Sequence, residues 1–370
     1  MAAARPAVYL DGNATTPIFP EAGAAMAEVL GEMGNPSSVH AFGRAARRRR
    51  EAAREQVAAL VGVGAGQVVF TSGATEANAL ALHGRPGTKL LSAVEHPSVL
   101  ENAPVAARVP VDHEGRADLG ALEALLMRHR PALVALMLAN NETGVVQPVA
   151  AAATLAHAHG ARLLCDAVQG PGKLAVSFVD LGCDLLALSA HKFGGPPGVG
   201  ALVVAGDLDL QPLVRGGGQE LRRRAGTENL PGIVAMGNAA ERVRRDADAP
   251  VRLVAMREWL EGQIAAITPD AVIFGAGADR LPNTTCVALA GLPAETQLIR
   301  LDLAGIAVSA GAACSSGKVG PSHVLAAMGV APELARSAIR ISLTWRTEQV
   351  EIDRFIEAWS AIADTRRVAA

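Results

Sequence analysis

The stretch Leu185-Leu-Ala-Leu-Ser-Ala-His-Lys192 joins a short apolar run to polar, reactive side chains. The four apolar residues from Leu185 to Leu188 are typical of a strand that is covered on both faces of a parallel sheet. The polar residues that follow them occupy the place where open α/β sheets bind ligands, outside the carboxyl ends of the strands. This stretch therefore predicts an α/β fold with a site at one edge of the sheet.

The same pattern recurs on both sides of this stretch, from about residue 66 to residue 205. Short Val- and Leu-rich runs alternate there with helical patterns, and this alternation predicts a mostly parallel sheet covered by helices. The apolar runs are Val68–Phe70, Lys89–Val94, Leu133–Leu138, Arg162–Cys165, Leu185–Leu188 and Val199–Val204. The helical patterns include Thr75–His83, Leu119–Arg128 and Val149–His159.

The length of 370 residues favours two domains, since one domain usually takes roughly 100–200 residues. The pattern changes at Asp246-Ala-Asp-Ala-Pro250, and an α+β pattern that includes Val251–Ile267 and Thr284–Leu289 follows. We expect a large α/β domain over residues 14–248. We expect a smaller α+β domain from residues 1–13 and 249–370.

Composition and charge exclude several classes of protein. Half of the residues are hydrophobic and 19% are charged, as in globular chains. The longest apolar run, Ala132–Ala139, is far shorter than the roughly 20 residues of a membrane-spanning helix. A net charge of −2 attracts neither nucleic acid nor an anionic membrane. Four cysteines without a CxxC pair, and a start without a secretory signal, favour the cytoplasm.

Two features that suggest other kinds of site have plain structural explanations. The run Arg47-Arg-Arg-Arg50 is followed by Glu51 and Glu55, with few aromatic residues nearby. It predicts an exposed helix face with an Arg47–Glu51 ion pair and not a nucleic-acid site. His157 and His159 are two residues apart on a predicted helix and point apart, so we expect no intrinsic metal site.

Polar side chains follow five of the apolar runs. Because the carboxyl ends of parallel strands share one sheet edge, we expect these side chains to lie together. Hydroxyl, imidazole, amide, carboxyl and amine groups gathered in this way serve chemistry and not stability alone. The segments are Thr71-Ser-Gly-Ala-Thr-Glu76, Glu95-His-Pro97, Asn140-Asn-Glu142, Asp166-Ala-Val-Gln169 and Ser189-Ala-His-Lys192.

These groups match the needs of pyridoxal 5'-phosphate (PLP). The small-residue turn Thr71–Thr75 enters a helix and suits a phosphate. Lys192 is one of only four lysines, and its place after a strand suits a Schiff base. Asp166 suits the pyridine nitrogen, Gln169 the ring oxygen and His96 the ring face. Taken singly, Asp166 is equally well explained as a helix cap, and His96 is better explained as a surface turn residue.

A second chemical feature is Cys314 in the segment Ser309-Ala-Gly-Ala-Ala-Cys-Ser-Ser-Gly-Lys318. Small residues surround this cysteine, whereas Cys165, Cys183 and Cys286 lie in or near apolar runs and are expected in the core. The contrast predicts an exposed, reactive thiol at Cys314.

The sequence resembles the cysteine desulfurases of the NifS/IscS group, in the class V aminotransferase family, over nearly its whole length. The Cys314 segment looks like the extended loop of the group I enzymes. The resemblance implies the PLP-dependent transferase fold of type I, with a mostly parallel seven-stranded sheet and a smaller α+β domain that carries Cys314. The matching motifs are Tyr9-Leu-Asp-Gly-Asn-Ala-Thr-Thr16, Asn35-Pro-Ser-Ser-Val-His40, Thr71–Glu76, Asn140-Asn-Glu-Thr-Gly144, Asp166–Gln169, Ser189–Lys192, Arg224-Ala-Gly-Thr-Glu228 and the Cys314 loop.

The resemblance also implies a role for each matching residue. Thr227 would reach the phosphate of the neighbouring subunit, so a homodimer is implied. The residues that would bind PLP are Ala74, Thr75, His96, Asn141, Asp166, Gln169, Ser189, His191, Lys192 and Thr227. The residues that would contact the substrate are Asn13, Asn141 and Arg340, and the catalytic residues would be Lys192, His96 and Cys314.

The implied reaction converts L-cysteine to L-alanine. Lys192 would take the α-proton, and the Cys314 thiolate would attack the substrate sulfur and become a persulfide. Our hypothesis for the group that deprotonates Cys314 is His96. The persulfide would pass to a sulfur-acceptor or iron–sulfur scaffold protein, with which Cys314 would transiently ligate a cluster. General iron–sulfur assembly, nitrogenase and tRNA thiolation stay open as destinations.

Two other interpretations stay open at this point. Another class V enzyme, such as an aminotransferase or a selenocysteine lyase, would share Lys192 and Asp166, although an aminotransferase would not need Cys314. A non-enzymatic scaffold or regulatory relative is disfavoured by the intact Lys192 and Cys314. One segment, Glu220-Leu-Arg222, departs from the Glu-Arg-Gly that is usual in the group.

Overall fold

The structure is a computed structural model that describes residues 7–104, 106–206, 208–246, 248–310 and 322–369, with side chains as far as Asp364. Cys314 lies outside the described residues. The strands of the described part are β1 (Val8–Tyr9), β2 (Val68–Thr71), β3 (Lys89–Ser92), β4 (Ala107–Val109), β5 (Leu133–Ala135), β6 (Arg162–Asp166), β7 (Leu185–Ser189), β8 (Gly200–Val204), β9 (Val272–Ile273), β10 (Thr284–Ala288), β11 (Ile306–Ala307), β12 (Ser309–Ala310) and β13 (Ala338–Ser342).

Helices alternate with the strands along the chain. They are α1 (Pro20–Leu30), α2 (Ala41–Val61), α3 (Ala74–Gly84), α4 (Pro97–Leu100), α5 (Leu119–His129), α6 (Val149–Ala158), α7 (Phe178–Leu181), α8 (Leu230–Arg245), α9 (Ala249–Ile267), α10 (Ala294–Leu303), α11 (His323–Ala327), α12 (Pro332–Ala335) and α13 (Gln349–Ala369). Short 3₁₀ turns cover Ala65–Gln67, Ala190–Lys192 and Gln219–Arg222. Within the described ranges, no helix has both the length and the apolar character needed to cross a membrane.

The larger sheet has seven strands in the order β2-β8-β7-β6-β5-β3-β4. β8 is antiparallel to both of its neighbours, and every other neighbouring pair is parallel. The predicted mostly parallel seven-stranded sheet is therefore confirmed. The apolar-run pattern missed β4, because this strand has three residues and its central Arg108 is exposed.

Helices cover both faces of this sheet. The side chains of Val68 and Val69 pack into separate apolar clusters, since successive strand residues point to opposite faces. Val57 of α2 belongs to one cluster and Leu80 of α3 to the other. Fully buried strands explain the near-continuous apolar runs of the sequence.

A second group of elements follows α8. Its sheet has the order β12-β13-β10-β9 and is antiparallel, and β1 pairs with β11 beside it. Phe355 and Trp359 of α13 are buried in its own apolar cluster, with ring centroids 6.0 Å apart. We propose that this group forms the smaller domain and that the seven-stranded sheet forms the larger one, with the predicted bounds.

The segment Glu220-Leu-Arg222 has left-handed backbone angles at all three residues, with φ between 45° and 65°. Such angles are unusual for residues other than glycine, so surrounding contacts must hold them. Arg54 of α2 supplies these contacts, since Nη1 and Nη2 each donate to the buried Glu220 carboxylate at 2.7 Å.

The arginine-rich start of α2 is only partly an exposed face. Arg47 and Arg48 are exposed, as predicted. The predicted Arg47–Glu51 ion pair is wrong, because Glu51 accepts hydrogen bonds from Arg50 and Arg54 instead. Arg47 donates to the backbone carbonyl oxygens of Pro36 and Ser38, which precede the helix.

Candidate active site

A cavity of about 410 Å³ lies at the carboxyl ends of the parallel strands. This volume is in the range of small-molecule sites. Thr227 is exposed and lies outside this cavity, and Cys314 is outside the described residues. The other predicted residues all line the cavity, namely Asn13, Ala74, Thr75, His96, Asn141, Asp166, Gln169, Ser189, His191, Lys192 and Arg340.

One wall of the cavity is the turn from β2 into α3. No side chain caps the N-terminus of α3 in the described part of the chain, so its first N–H groups are available to an anion. Gly200 of β8 lies against this turn, and a Cβ there would be 2.7 Å from the backbone of Gly73. The two glycines therefore let the sheet approach the anion-binding turn closely.

His191 and Ser189 extend this wall from the end of β7. The His191 Nδ1 atom is 3.1 Å from the hydroxyl of Thr15. Burial, followed by the charges of Lys192 and Lys173, lowers the pKa of His191 to about 4. The ring is therefore neutral at physiological pH and takes part in hydrogen bonds without a charge.

Lys192 extends its amine into the cavity. Its Nζ donates to the carbonyl oxygens of Asn13 at 2.7 Å and Ala14 at 2.9 Å. Burial and then the nearby Arg340 charge lower the pKa of Lys192 to about 8, against the opposing charge of Asp166. An amine with this pKa is partly neutral near pH 7 and can act as a nucleophile and a base.

Asp166 provides a fixed acceptor at the end of β6. Its Oδ1 accepts from the backbone N–H of Val168 at 3.1 Å, and its Oδ2 accepts from Asn78 Nδ2 at 2.8 Å. Asn78 is fully buried on α3 and also donates to the Ser98 hydroxyl at 3.0 Å. Sequence reasoning missed Asn78, which follows the small-residue turn by one helical turn.

His96 is held by the residue two positions later in the chain. Its Nδ1 accepts from the backbone N–H of Ser98 at 3.0 Å and lies 2.8 Å from the Ser98 hydroxyl. The backbone N–H requires the lone pair of Nδ1, so the neutral ring carries its proton at Nε2. Burial lowers the pKa of His96, Asp166 opposes the shift, and Lys192 and His323 add to it.

Gln169 is fixed from two sides. Its Oε1 accepts from Lys173 Nζ at 2.7 Å, and its Nε2 donates to the carbonyl oxygen of Asn13 at 3.1 Å. Lys173 is buried, and burial followed by the charges of Lys192 and Arg340 lowers its pKa to about 7. Sequence reasoning missed Lys173, although the scarcity of lysine in this chain was a signal.

Arg340 of β13 closes the cavity from the smaller sheet. Its side chain is buried, Nη2 donates to Asp11 at 2.6 Å, and Nη1 donates to the carbonyl oxygen of Asn141 at 3.0 Å. Its Nε has no partner among the described residues. Asn13 Nδ2 donates to the same Asn141 carbonyl at 3.1 Å. The remaining guanidinium N–H groups suit a carboxylate.

Both flanks of the segment that contains Cys314 lie beside this cavity. Ser309 of β12 pairs in register with Arg340. On the other flank, the Ser322 hydroxyl donates to the buried Glu142 carboxylate at 2.6 Å. Burial raises the pKa of Glu142 to about 7.

Comparison with known proteins gives a consistent result. The family model for class V aminotransferases matches residues 8–355. A cysteine desulfurase of Cereibacter sphaeroides is 47% identical, over 97% of this chain and 96% of its own length. The cysteine desulfurase IscS of Dictyoglomus turgidum is 39% identical, over 97% of this chain and 95% of its own length. The structure of a NifS-like protein from Rickettsia africae has a TM-score of 0.90 and 35% identity, and the match covers 97% of this chain and 99% of that one.

Proposed function

Because the chain belongs to the class V aminotransferase family and, within it, to the cysteine desulfurases of the NifS/IscS type, we propose that it holds PLP in the cavity around Lys192. The fold is that of type I PLP-dependent transferases. The observation that carries the proposal is one cavity lined by a lysine with a pKa of about 8, a carboxylate and an uncapped helix N-terminus. These three groups fit the aldehyde, the pyridine nitrogen and the phosphate of PLP.

The contacts and positions of the other predicted residues support their roles. Asp166 is anchored by two N–H donors and would bind the pyridine nitrogen. Gln169, whose amide nitrogen donates to the Asn13 carbonyl, would also donate to the ring oxygen, and His96 would cover the ring face. Ala74, Thr75, Ser189 and His191 would bind phosphate.

When bound, PLP supplies an electron-withdrawing ring that stabilises negative charge at the substrate α-carbon. Arg340 would bind the substrate carboxylate through its free N–H groups, with Asn13 and Asn141 beside it. Lys192, partly neutral near pH 7, would remove the α-proton and hold it at Nζ. Because Nδ1 accepts from the Ser98 N–H, the neutral His96 ring would carry its proton at Nε2 and would give it to a thiolate in the cavity.

The reaction balances as L-cysteine plus the Cys314 thiol giving L-alanine plus a Cys314 persulfide. The carbon–sulfur bond of the substrate breaks and a sulfur–sulfur bond forms. The β-carbon is reduced and the sulfur is oxidised, so the step needs no external oxidant. An acceptor protein or a reductant then removes the terminal sulfur.

The positions of Ser309 and Ser322, on either side of the segment that contains Cys314, support the proposal that Cys314 accepts the sulfur. Cys314 follows Ala310 by four residues, which span at most about 14 Å when extended. Ala310 pairs with Ile339 of β13, the residue before Arg340. Cys314 therefore lies close in sequence to a strand that pairs with the residue that would bind the substrate.

We also propose a second subunit, a sulfur acceptor and a cellular compartment for the enzyme. Thr227 is exposed between the buried Ala225 and Glu228, as expected of a residue that reaches a neighbouring subunit in a homodimer. A sulfur-acceptor or iron–sulfur scaffold protein would receive the persulfide. Cys165, Cys183 and Cys286 are free and buried, which fits a reducing compartment such as the cytoplasm.

The test measures alanine and sulfide released from L-cysteine in the presence of a reductant, together with the visible absorbance of PLP. We expect the wild type to be yellow and to form both products. Lys192→Ala should form neither product, whereas Lys89→Met, a lysine remote from the cavity, should behave as the wild type. A colourless wild type, or a Lys192→Ala variant with full turnover, would contradict the proposal.

A further inference from the structure

Lys173 is a buried amine that the proposed reaction does not use. Its side chain is enclosed beside the main cavity and lines a small void of about 40 Å³. Burying an amine is costly unless a specific interaction compensates it. Its hydrogen bond to Gln169 Oε1, at 2.7 Å, is therefore the contact to explain.

This bond determines which end of the Gln169 amide faces the cavity. Oε1 accepts from Lys173 Nζ, and Nε2 donates to the Asn13 carbonyl, which only accepts. A flipped amide would place two acceptors against each other at Asn13 and, at a charged Lys173, two donors against each other. The Gln169 amide nitrogen, and not its oxygen, is therefore turned to the side of Lys192.

The same contacts connect the two lysines. The Asn13 carbonyl accepts from both Gln169 Nε2 and Lys192 Nζ. A positive charge at Lys173 thus lies one side chain away from the reacting amine. Charged or titratable groups on the other elements around Lys173 are Lys192 and His191 at the end of β7, Arg340 on β13, and Asp246 across the small void.

We infer that Lys173 is a positioning residue, which orients Gln169 as a hydrogen-bond donor to the cofactor oxygen and adds positive potential at Lys192. This inference rests on the proposed PLP site. Without Lys173, the Gln169 amide can turn and a nearby positive charge is lost. Both changes should raise the pKa at Lys192 Nζ, so this nitrogen keeps its proton to higher pH.

The experiment compares Lys173→Met with Lys173→Gln, which keeps a donor but no charge, and with Lys89→Met as a control lysine. PLP is removed and added back, and its dissociation constant and the pH midpoint of its visible absorption band are measured. Lys173→Met should bind PLP about three- to tenfold more weakly, as for one lost hydrogen bond. Its midpoint should rise by about half to one pH unit.

Lys173→Gln should recover most of the affinity but keep a raised midpoint, because the donor is restored and the charge is not. A Lys173→Met protein that matches Lys89→Met in both measurements overturns the inference and leaves the proposed function intact. A wild type that takes up no PLP overturns the proposed function and, with it, this inference.

Discussion

The lowered pKa of Lys192 predicts how cofactor-free protein captures PLP as the pH is changed. Capture requires the neutral amine. With a pKa of about 8, roughly one tenth of Lys192 is neutral at pH 7, whereas an ordinary lysine with a pKa of 10.5 is neutral in roughly one molecule in 3,000. Burial beside Arg340 should therefore speed capture at pH 7 by roughly 300-fold.

The rate of PLP capture should rise with pH and then level off. The folded-state pKa lies below the ordinary one, so the neutral fraction rises about tenfold per pH unit up to pH 7 and levels off above about pH 8.5. Stopped-flow absorbance after mixing PLP with cofactor-free protein measures this rate. Lys192→Arg, which cannot lose its proton, should show no capture at any pH.

A capture rate that keeps rising to pH 10 would refute this reasoning, because it would show an amine with an ordinary pKa. A plateau below pH 7 would be equally inconsistent. Lys89→Met should reproduce the wild-type profile, which excludes Lys89 as the titrating group.

Three further variants test contacts around the site. Arg54→Met leaves the buried Glu220 carboxylate without its ion pair, and should lower the free energy of unfolding in urea by about 3–5 kcal/mol. Asn78→Ala removes the charge-assisted hydrogen bond to Asp166, worth about 1.5–3 kcal/mol, so the dissociation constant of PLP should rise about 10- to 100-fold. Gly200→Ala places a Cβ within 2.5 Å of a carbonyl oxygen, and should weaken PLP binding and lower the unfolding free energy by about 1–3 kcal/mol.

Each of these variants has its own control. Adding Glu220→Gln to Arg54→Met should restore part of the lost stability, because the unpaired charge is removed. Unchanged PLP affinity in Asn78→Ala would show that Asp166 does not depend on this donor. Gly206→Ala, where a Cβ meets no atom within 4 Å, is the control for Gly200→Ala. It should leave the PLP affinity and the free energy of unfolding unchanged.

The sequence pattern was sufficient to predict six of the seven strands of the larger sheet and most of the cavity. Buried parallel strands produce apolar runs, and their carboxyl ends bring the following polar residues together, as for Asp166 and Lys192. Arg340 came from the family resemblance alone, since no local pattern links β13 to the larger sheet.

The residues that the sequence did not reveal act through contacts between distant segments. Asn78 and Ser98 meet only because α3 packs beside α4, and Arg54 turns inward only because Glu220 lies opposite it. Lys173 is recognisable only once its bond to Gln169 places it beside the cavity. Local periodicity carries no information about such pairings.

In the proposed reaction, sulfur leaves L-cysteine in the Lys192 cavity and passes to Cys314. Mass spectrometry of the Cys314 peptide after one turnover, without reductant, tests it directly, with Cys183→Ala as a control for a buried cysteine. We expect one added sulfur atom on Cys314 for each alanine formed, in the wild type and in Cys183→Ala, and no turnover in Cys314→Ala. Alanine formed at the wild-type rate by Cys314→Ala, or alanine without sulfur on Cys314, would contradict the proposed reaction.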